Sequence, residues 1–208
     1  MNQVESIQGN YWKEIQNELP YLLKNLNGIV LVTHNSIEFI DIIDFLNNIN
    51  PEHFSNVLYI SLMRSYNYMK LAIDKKPLEL KRMFFIDCVS GFAFPPEDNI
   101  DDCIYHKPPQ NLEELKNIIK YGVEKCNPDI IVLDSLSQYI NFTIPTDAEL
   151  RELYKFLKTI KEDVLGITCY AVLLLYDDKL GSMKKLPTPF TDLILKLEVI
   201  KGEMEWTD

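Results

Sequence analysis

Apolar and polar positions along this 208-residue chain follow two alternating patterns. Short runs dominated by Val, Ile, Leu and Phe occupy residues 28–33, 57–60, 83–87, 129–134 and 168–175. Each is too short for a helix and apolar on both sides, so each predicts a strand buried on two faces. Between the runs, apolar residues recur at helical spacing. Residues 10–26 place Trp12, Ile15, Leu19, Leu22, Leu23 and Leu26 on one stripe, interrupted by Pro20. Residues 37–49 predict a helix with Ile37, Ile40, Phe45 and Leu46 inward, stopped by Pro51. A short helix is expected over 66–73. Two stronger ones are expected over 111–126 and 146–161, the latter with Leu150, Leu153, Tyr154 and Leu157 on one face. Asn111 with Glu114 three residues on forms a capping box, and Asn127-Pro128 ends that helix. Residues 193–200 alternate and predict an edge strand with one wet face. The Pro-rich, acidic stretch 94–109 reads as a long connection with a short strand at 103–105.

Strands alternating with amphipathic helices predict a parallel sheet covered on both faces, a three-layer α/β/α sandwich. The length suits one domain: an N-terminal helical segment 1–26, a core 27–202 and a tail 203–208. No repeat, low-complexity tract or linker divides it.

Composition narrows the function classes. No run of about 18 apolar residues exists, and the first ten residues lack the basic-then-apolar order of a secretory signal. The expectation is a cytoplasmic protein with no membrane contact. The net charge is −10, and the basic clusters are small: Lys75-Lys76 with Lys81-Arg82, and Lys184-Lys185. Nucleic-acid binding needs a basic face that displaces counterions from phosphates, so it is not expected. The four cysteines, Cys88, Cys103, Cys126 and Cys169, form no CxxC pair and fit no common disulfide framework. They predict reduced thiols, with Cys88 and Cys169 in the core.

In an open α/β sheet, ligands bind beyond the carboxyl ends of the strands. The candidate positions are His34 to Ser36, Ser61 to Ser65, Asp87 to Gly91, Asp134 to Ser137 and Tyr176 to Asp178. The run 130–135 has four apolar residues followed by Asp134 and Ser135. An acid in that position holds the magnesium ion of the nucleotide in phosphate-loop NTPases, although a cap or turn is an equally simple role.

The serial order of the segments resembles the RecA/KaiC-type ATPases over residues 27–202. Leu31-Val32-Thr33 is similar to the strand leading into the phosphate loop. The run 57–61 is similar to the second strand, 131–135 to the Asp-ending strand, and 189–194 to the approach to the closing strand. The resemblance implies a RecA-like central sheet, an archaeal or bacterial source, and head-to-tail pairing with a further copy or an active relative.

The departures from the family matter more for function. A phosphate loop needs G-x-x-x-x-G-K-[ST], so that backbone N–H groups and a lysine meet the phosphates. The matching stretch, 34–41, contains no glycine. It runs from His34, Asn35 and Ser36 to Ile40 in the lysine position and Asp41 in the hydroxyl position. Asn35 and Glu38 are spaced to cap the helix internally. Met63 and Arg64 stand where the family carries its catalytic glutamate. The site predicted from these residues is therefore a vestigial nucleotide site: His34, Asn35, Ser36, Ile40, Asp41, Arg64, Asp134 and Ser135. ATP and magnesium are not expected as cofactors, and no residue is assigned a catalytic role. The expected function is an inactive RecA/KaiC-like domain, regulatory or scaffolding, whose partner is another protein or another copy of itself. Two alternatives stay open: a non-standard nucleotide or small-ligand site using Asp134 and Arg64, and an unrelated enzyme on the same scaffold.

Other sharp readings are weaker than their plain counterparts. Ser135, Ser137 and His34 lack the G-x-S-x-G elbow of a hydrolase, so Ser135 is expected to cap a turn. Cys103 and His106 supply too few ligands for zinc. Arg64 is read as a surface salt bridge ahead of an anion binder or a finger into a neighbour's site. The apolar segment 92–96 reads equally as a docking loop or as cover for the core.

Overall fold

Apolar runs of five to seven residues, bounded by polar turns, cannot bury both faces unless they lie side by side under helices, and that is the arrangement found. The computed structural model describes residues 28–35, 38–48, 56–76, 82–93, 101–161, 169, 171–180 and 190–197. The predicted helix over 10–26 and the segment 94–96 lie outside these residues, as do Ser36 and Ile37. In chain order the elements are β1 (Gly28–His34), α1 (Phe39–Asn48), β2 (Asn56–Ser61), α2 (Tyr66–Lys75), β3 (Arg82–Asp87), α3 (Ser90–Ala93) and β4 (Cys103–Tyr105). They continue with α4 (Leu112–Cys126), β5 (Ile130–Asp134), α5 (Leu136–Thr143), α6 (Asp147–Lys161), β6 (Ala171–Asp177) and β7 (Leu193–Leu197).

The seven strands form one sheet in the order β4-β3-β2-β5-β6-β1-β7. Every pairing is parallel, with Ser61 opposite Asp134 and His34 opposite Asp177. The expected α/β/α sandwich is therefore present, and its sheet is parallel throughout.

Period-two alternation divides the core into two layers. Ile29, Leu31, Leu58, Ile60, Ile131, Leu133, Val172 and Leu174 pack under α4, α5 and α6. Val30, Val32, Val57, Tyr59, Ile130, Val132, Leu173 and Leu175 pack under α1 and α2. Burying one such aliphatic or aromatic side chain stabilises the fold by about 1.5–3 kcal/mol before chain entropy is counted. β7 closes one edge as expected, with Leu193, Leu195 and Leu197 half-buried and Ile194 and Lys196 exposed.

The helices differ from expectation in three places, one of them the four-residue α3, for which the sequence predicted no element. α1 begins at Phe39; Phe45 and Leu46 are buried as expected, joined by Phe39, Ile42 and Ile43, while Ile40 is only half-buried. α5 was not anticipated. All four cysteines are free and buried. No cluster of metal-ligating side chains occurs among the described residues, and none of the described helices is long and apolar enough to cross a membrane.

Candidate functional site

The helix after β2 packs on one face of the sheet and the helix after β5 packs on the other. Adjacent strands whose connections diverge in this way leave a crevice at their carboxyl ends. Ser61 and Asp134 are the last residues of those two strands, paired across the ladder.

Loop 61–65 is a tight turn built on Ser61. Its Oγ accepts from the Arg64 N–H at 2.9 Å and donates to the Arg64 carbonyl at 2.6 Å. The Leu62 N–H donates to the Asp134 carbonyl at 2.5 Å, and the Cys88 N–H to the Ser61 carbonyl at 2.9 Å. This turn folds the Arg64 side chain inward. Its guanidinium donates from Nη1 to Oδ2 of Asp134 in an ion pair. Arg64 is 8% exposed and Asp134 is fully buried. The surface salt bridge expected for Arg64 is thus an interior one. The same Oδ2 accepts from the Tyr59 hydroxyl at 2.7 Å, while Asp134 Oδ1 has no hydrogen-bond partner among the described residues.

The electrostatics follow from this packing. Burial opposes the charge on Arg64, yet the Asp134 carboxylate outweighs it and raises the guanidinium pKa. Burial, and then Asp134, push the Tyr59 hydroxyl well above its ordinary range, so it remains a donor. Burial holds His34 below its ordinary 6.5, against the opposing pull of Asp177 and Asp134.

Neighbouring turns lock the rest of the strand ends. Ser135 is the N-cap of α5 and accepts from the Gln138 N–H at 3.2 Å, as expected of a capping residue. The Asp134–Ser135 peptide bond is cis. Ser135 Oγ lies 2.9 Å from Ser137 Oγ, which accepts from the Asp177 N–H at 3.1 Å. Asp177 Oδ1 accepts from Lys179 and Leu180 N–H groups, and the Asp178 N–H donates to the His34 carbonyl at 2.9 Å. Asp87 is saturated: Oδ1 takes the N–H groups of Val89 and Ser90, and Oδ2 takes the Tyr66 N–H and the Ser90 hydroxyl.

At the start of α1 the Asp41 carboxylate accepts from the Glu38 N–H at 2.8 Å. The reciprocal cap expected between Asn35 and Glu38 is therefore displaced. Glu38 lies just before the helix, and Asp41 at the third helical position reaches back to it. Asn35 is an exposed bend after β1, and Ser36 lies outside the described residues. Above these turns lies a cleft of about 620 Å³, bordered by Glu38, Met63, Arg64, Ser65, Tyr68 and Asp177.

Of the residues predicted for the site, His34, Arg64, Asp134 and Ser135 meet at adjoining strand ends. Ile40 and Asp41 are built into α1. Tyr59 was missed because its sequence signal is that of a core strand residue. Only its hydroxyl, aimed along the strand to Asp134, distinguishes it.

A scan against protein-family models finds no match, and no curated protein matches the sequence. Solved structures do match. The flagellar accessory protein FlaH from Methanocaldococcus jannaschii is 14% identical with a TM-score of 0.56, covering 85% of this chain and 73% of its own. A KaiC-like protein from Pyrococcus horikoshii is 12% identical with a TM-score of 0.48, covering 86% of this chain and 74% of its own. The likeness to FlaH is one of fold, and the all-parallel seven-stranded sheet agrees with a RecA-like α/β sandwich.

Proposed function

We propose that this chain is a non-hydrolysing RecA/KaiC-like domain that acts in the cytoplasm through protein contacts, as a regulatory or scaffolding component. The Arg64–Asp134 pair is the observation that carries this reading. In a nucleotide-hydrolysing relative the acid at this strand end serves a magnesium ion. Here a buried guanidinium already neutralises it, and Tyr59 shares the same oxygen.

The remaining residues fit a magnesium nucleotide poorly. A helix N-terminus attracts phosphate through free N–H groups and its dipole. At α1 the Glu38 N–H is taken by Asp41, and both side chains are acidic. The stretch 34–41 supplies no lysine and no glycine, and Arg64 is paired inward. The net charge of −10 argues further against polyanionic ligands such as nucleic acid.

Calorimetry with ATP–magnesium tests the reading. The expected result is no binding heat, with no phosphate released above buffer. Tight binding, or turnover, overturns it.

A second reading has one observation in its favour. Asp134 Oδ1 is buried without a partner among the described residues, and a cleft opens beside Arg64. A small polar ligand could be held there without a phosphate loop. A thermal-shift screen of nucleotides and small polar metabolites decides it, since a saturable rise in melting temperature for one compound is the signature.

A further inference from the structure

The cleft above the strand ends carries a charge opposite to that of a phosphate site. Two carboxylates line it, Glu38 from the chain leading into α1 and Asp177 from the end of β6. Glu38 is exposed, whereas Asp177 is only 1% exposed. Asp177 Oδ1 is occupied, accepting the Lys179 and Leu180 N–H groups of its own turn. Its Oδ2 accepts from no donor among the described residues. A buried carboxylate oxygen in the wall of a cavity calls for a donor, and the cleft supplies the space for one.

The charges around the cleft agree. Half-buried Asp178 adjoins Asp177, and half-buried Asp41 holds the Glu38 N–H at 2.8 Å. Against these acids stand Arg64 and Lys179. Arg64 lines the cleft, but its guanidinium is paired with Asp134. Lys179 is exposed and is not among the lining residues. The rest of the wall is largely apolar: Met63, Val89 and Leu180, with the 46% exposed ring of Tyr68. Carboxylates beside such a wall suit a cation on an apolar stem. The aliphatic side chains cover the methylenes, and the face of a phenol ring attracts the charge.

We propose that this cleft binds an alkylammonium ion, its N–H groups donating to Asp177 Oδ2 and to Glu38, its carbon stem lying along Met63, Val89 and Leu180. This rests on the second reading above, that the cleft holds a small polar ligand, and gives that ligand a charge opposite to a nucleotide's. An ammonium group has three donors and no acceptor, which matches a site offering carboxylate oxygens. The acids that turn a triphosphate away hold an amine. A free aliphatic amine and a lysine side chain share this chemistry, and the experiment separates them.

A titration of the full chain with pentylamine, followed in amide proton–nitrogen NMR spectra at about pH 7.5, tests this; the amine is charged there. The expected result is saturable shifts centred on Glu38, Ser65 and Asp178, with a Kd of about 1 mM for so small a ligand. The neutral 1-pentanol and the anionic pentanoate carry the same stem and should produce no such shifts. Asp177→Asn removes the charge and keeps an acceptor for the turn, and should weaken binding about tenfold or more. Glu38→Gln, at an exposed position, should weaken it about threefold. If Asp177→Asn fails to fold, Glu38→Gln decides. Non-saturating shifts scattered over the acidic surface, equal binding of 1-pentanol, or unchanged affinity in Glu38→Gln overturns the proposal. Lysine capped at both backbone ends is the second ligand. Its binding at the same residues, at least as tightly as pentylamine, assigns the site to a lysine side chain of another protein; binding of pentylamine alone assigns it to a free amine. No response to either amine, with another compound raising the melting temperature in the thermal-shift screen, rejects the ammonium and keeps the second reading. No response to any compound rejects both.

Discussion

A guanidinium on a side chain only 7% exposed survives in a fold only with its charge answered, and Arg64 has Asp134 for that purpose. Removing one member of a buried pair leaves the other uncompensated, which typically costs about 3–5 kcal/mol. Arg64→Leu should therefore destabilise the chain by about that amount in urea unfolding. The double variant Arg64→Met/Asp134→Asn removes both charges and keeps an acceptor for Tyr59, so it should recover roughly half or more of the loss. Equal stability of Arg64→Leu and the parent chain would contradict the buried pair. The sequence places Arg64 and Asp134 each at a strand end, 70 positions apart. It does not show that they meet. That depends on β2 and β5 being neighbours and on Ser61 turning the chain through Arg64.

Elements with strong local signals form where the pattern places them. Asn111 caps α4, accepting from the Glu114 N–H at 2.9 Å, because that pair needs nothing beyond four successive residues. The start of α1 was less legible. Several polar residues between β1 and Phe39 could serve as a cap, and the packing of Phe39 on Tyr59, ring centroids 5.4 Å apart, sets where the helix begins. α5 escaped notice because eight residues give barely two turns of periodicity, with Gln138 and Asn141 interrupting them. Its formation relies on the Ser135 cap and on burying Leu136, Tyr139 and Ile140. A close approach between elements also explains one glycine. A Cβ at Gly91 would lie 2.6 Å from the His106 carbonyl oxygen, where α3 meets the chain leaving β4. That neighbour is backbone and cannot rotate aside. Gly91→Ala should lower stability by about 1–3 kcal/mol, read from the urea midpoint at unchanged slope.

For the molecule as a whole, a buried histidine at the carboxyl end of β1 gives stability a pH dependence. His34 is buried and its pKa lies below 6.5. The unfolded chain takes up this proton at a higher pH than the folded chain does, so protonation favours unfolding. The stability tied to neutral His34 is fully present above 6.5 and is lost as pH falls from there towards the folded value. Urea unfolding at about pH 7.5 and about pH 5.5 should show a loss at the lower pH, and His34→Asn should flatten it. An unchanged slope in that variant would assign the dependence to other groups.

The sequence alone determined the fold class, the strands and most helices, because period-two and period-3.6 patterns act over a few residues and need no partner to be recognised. It also determined the missing glycines and lysine of the 34–41 stretch, a matter of composition. Only the tertiary structure decided what stands at the strand ends. Strand order brings Arg64, Tyr59 and Asp134 together across long sequence separations, and burial turns a polar residue into a paired one. Those effects depend on which strands are neighbours, and local periodicity carries no information about that.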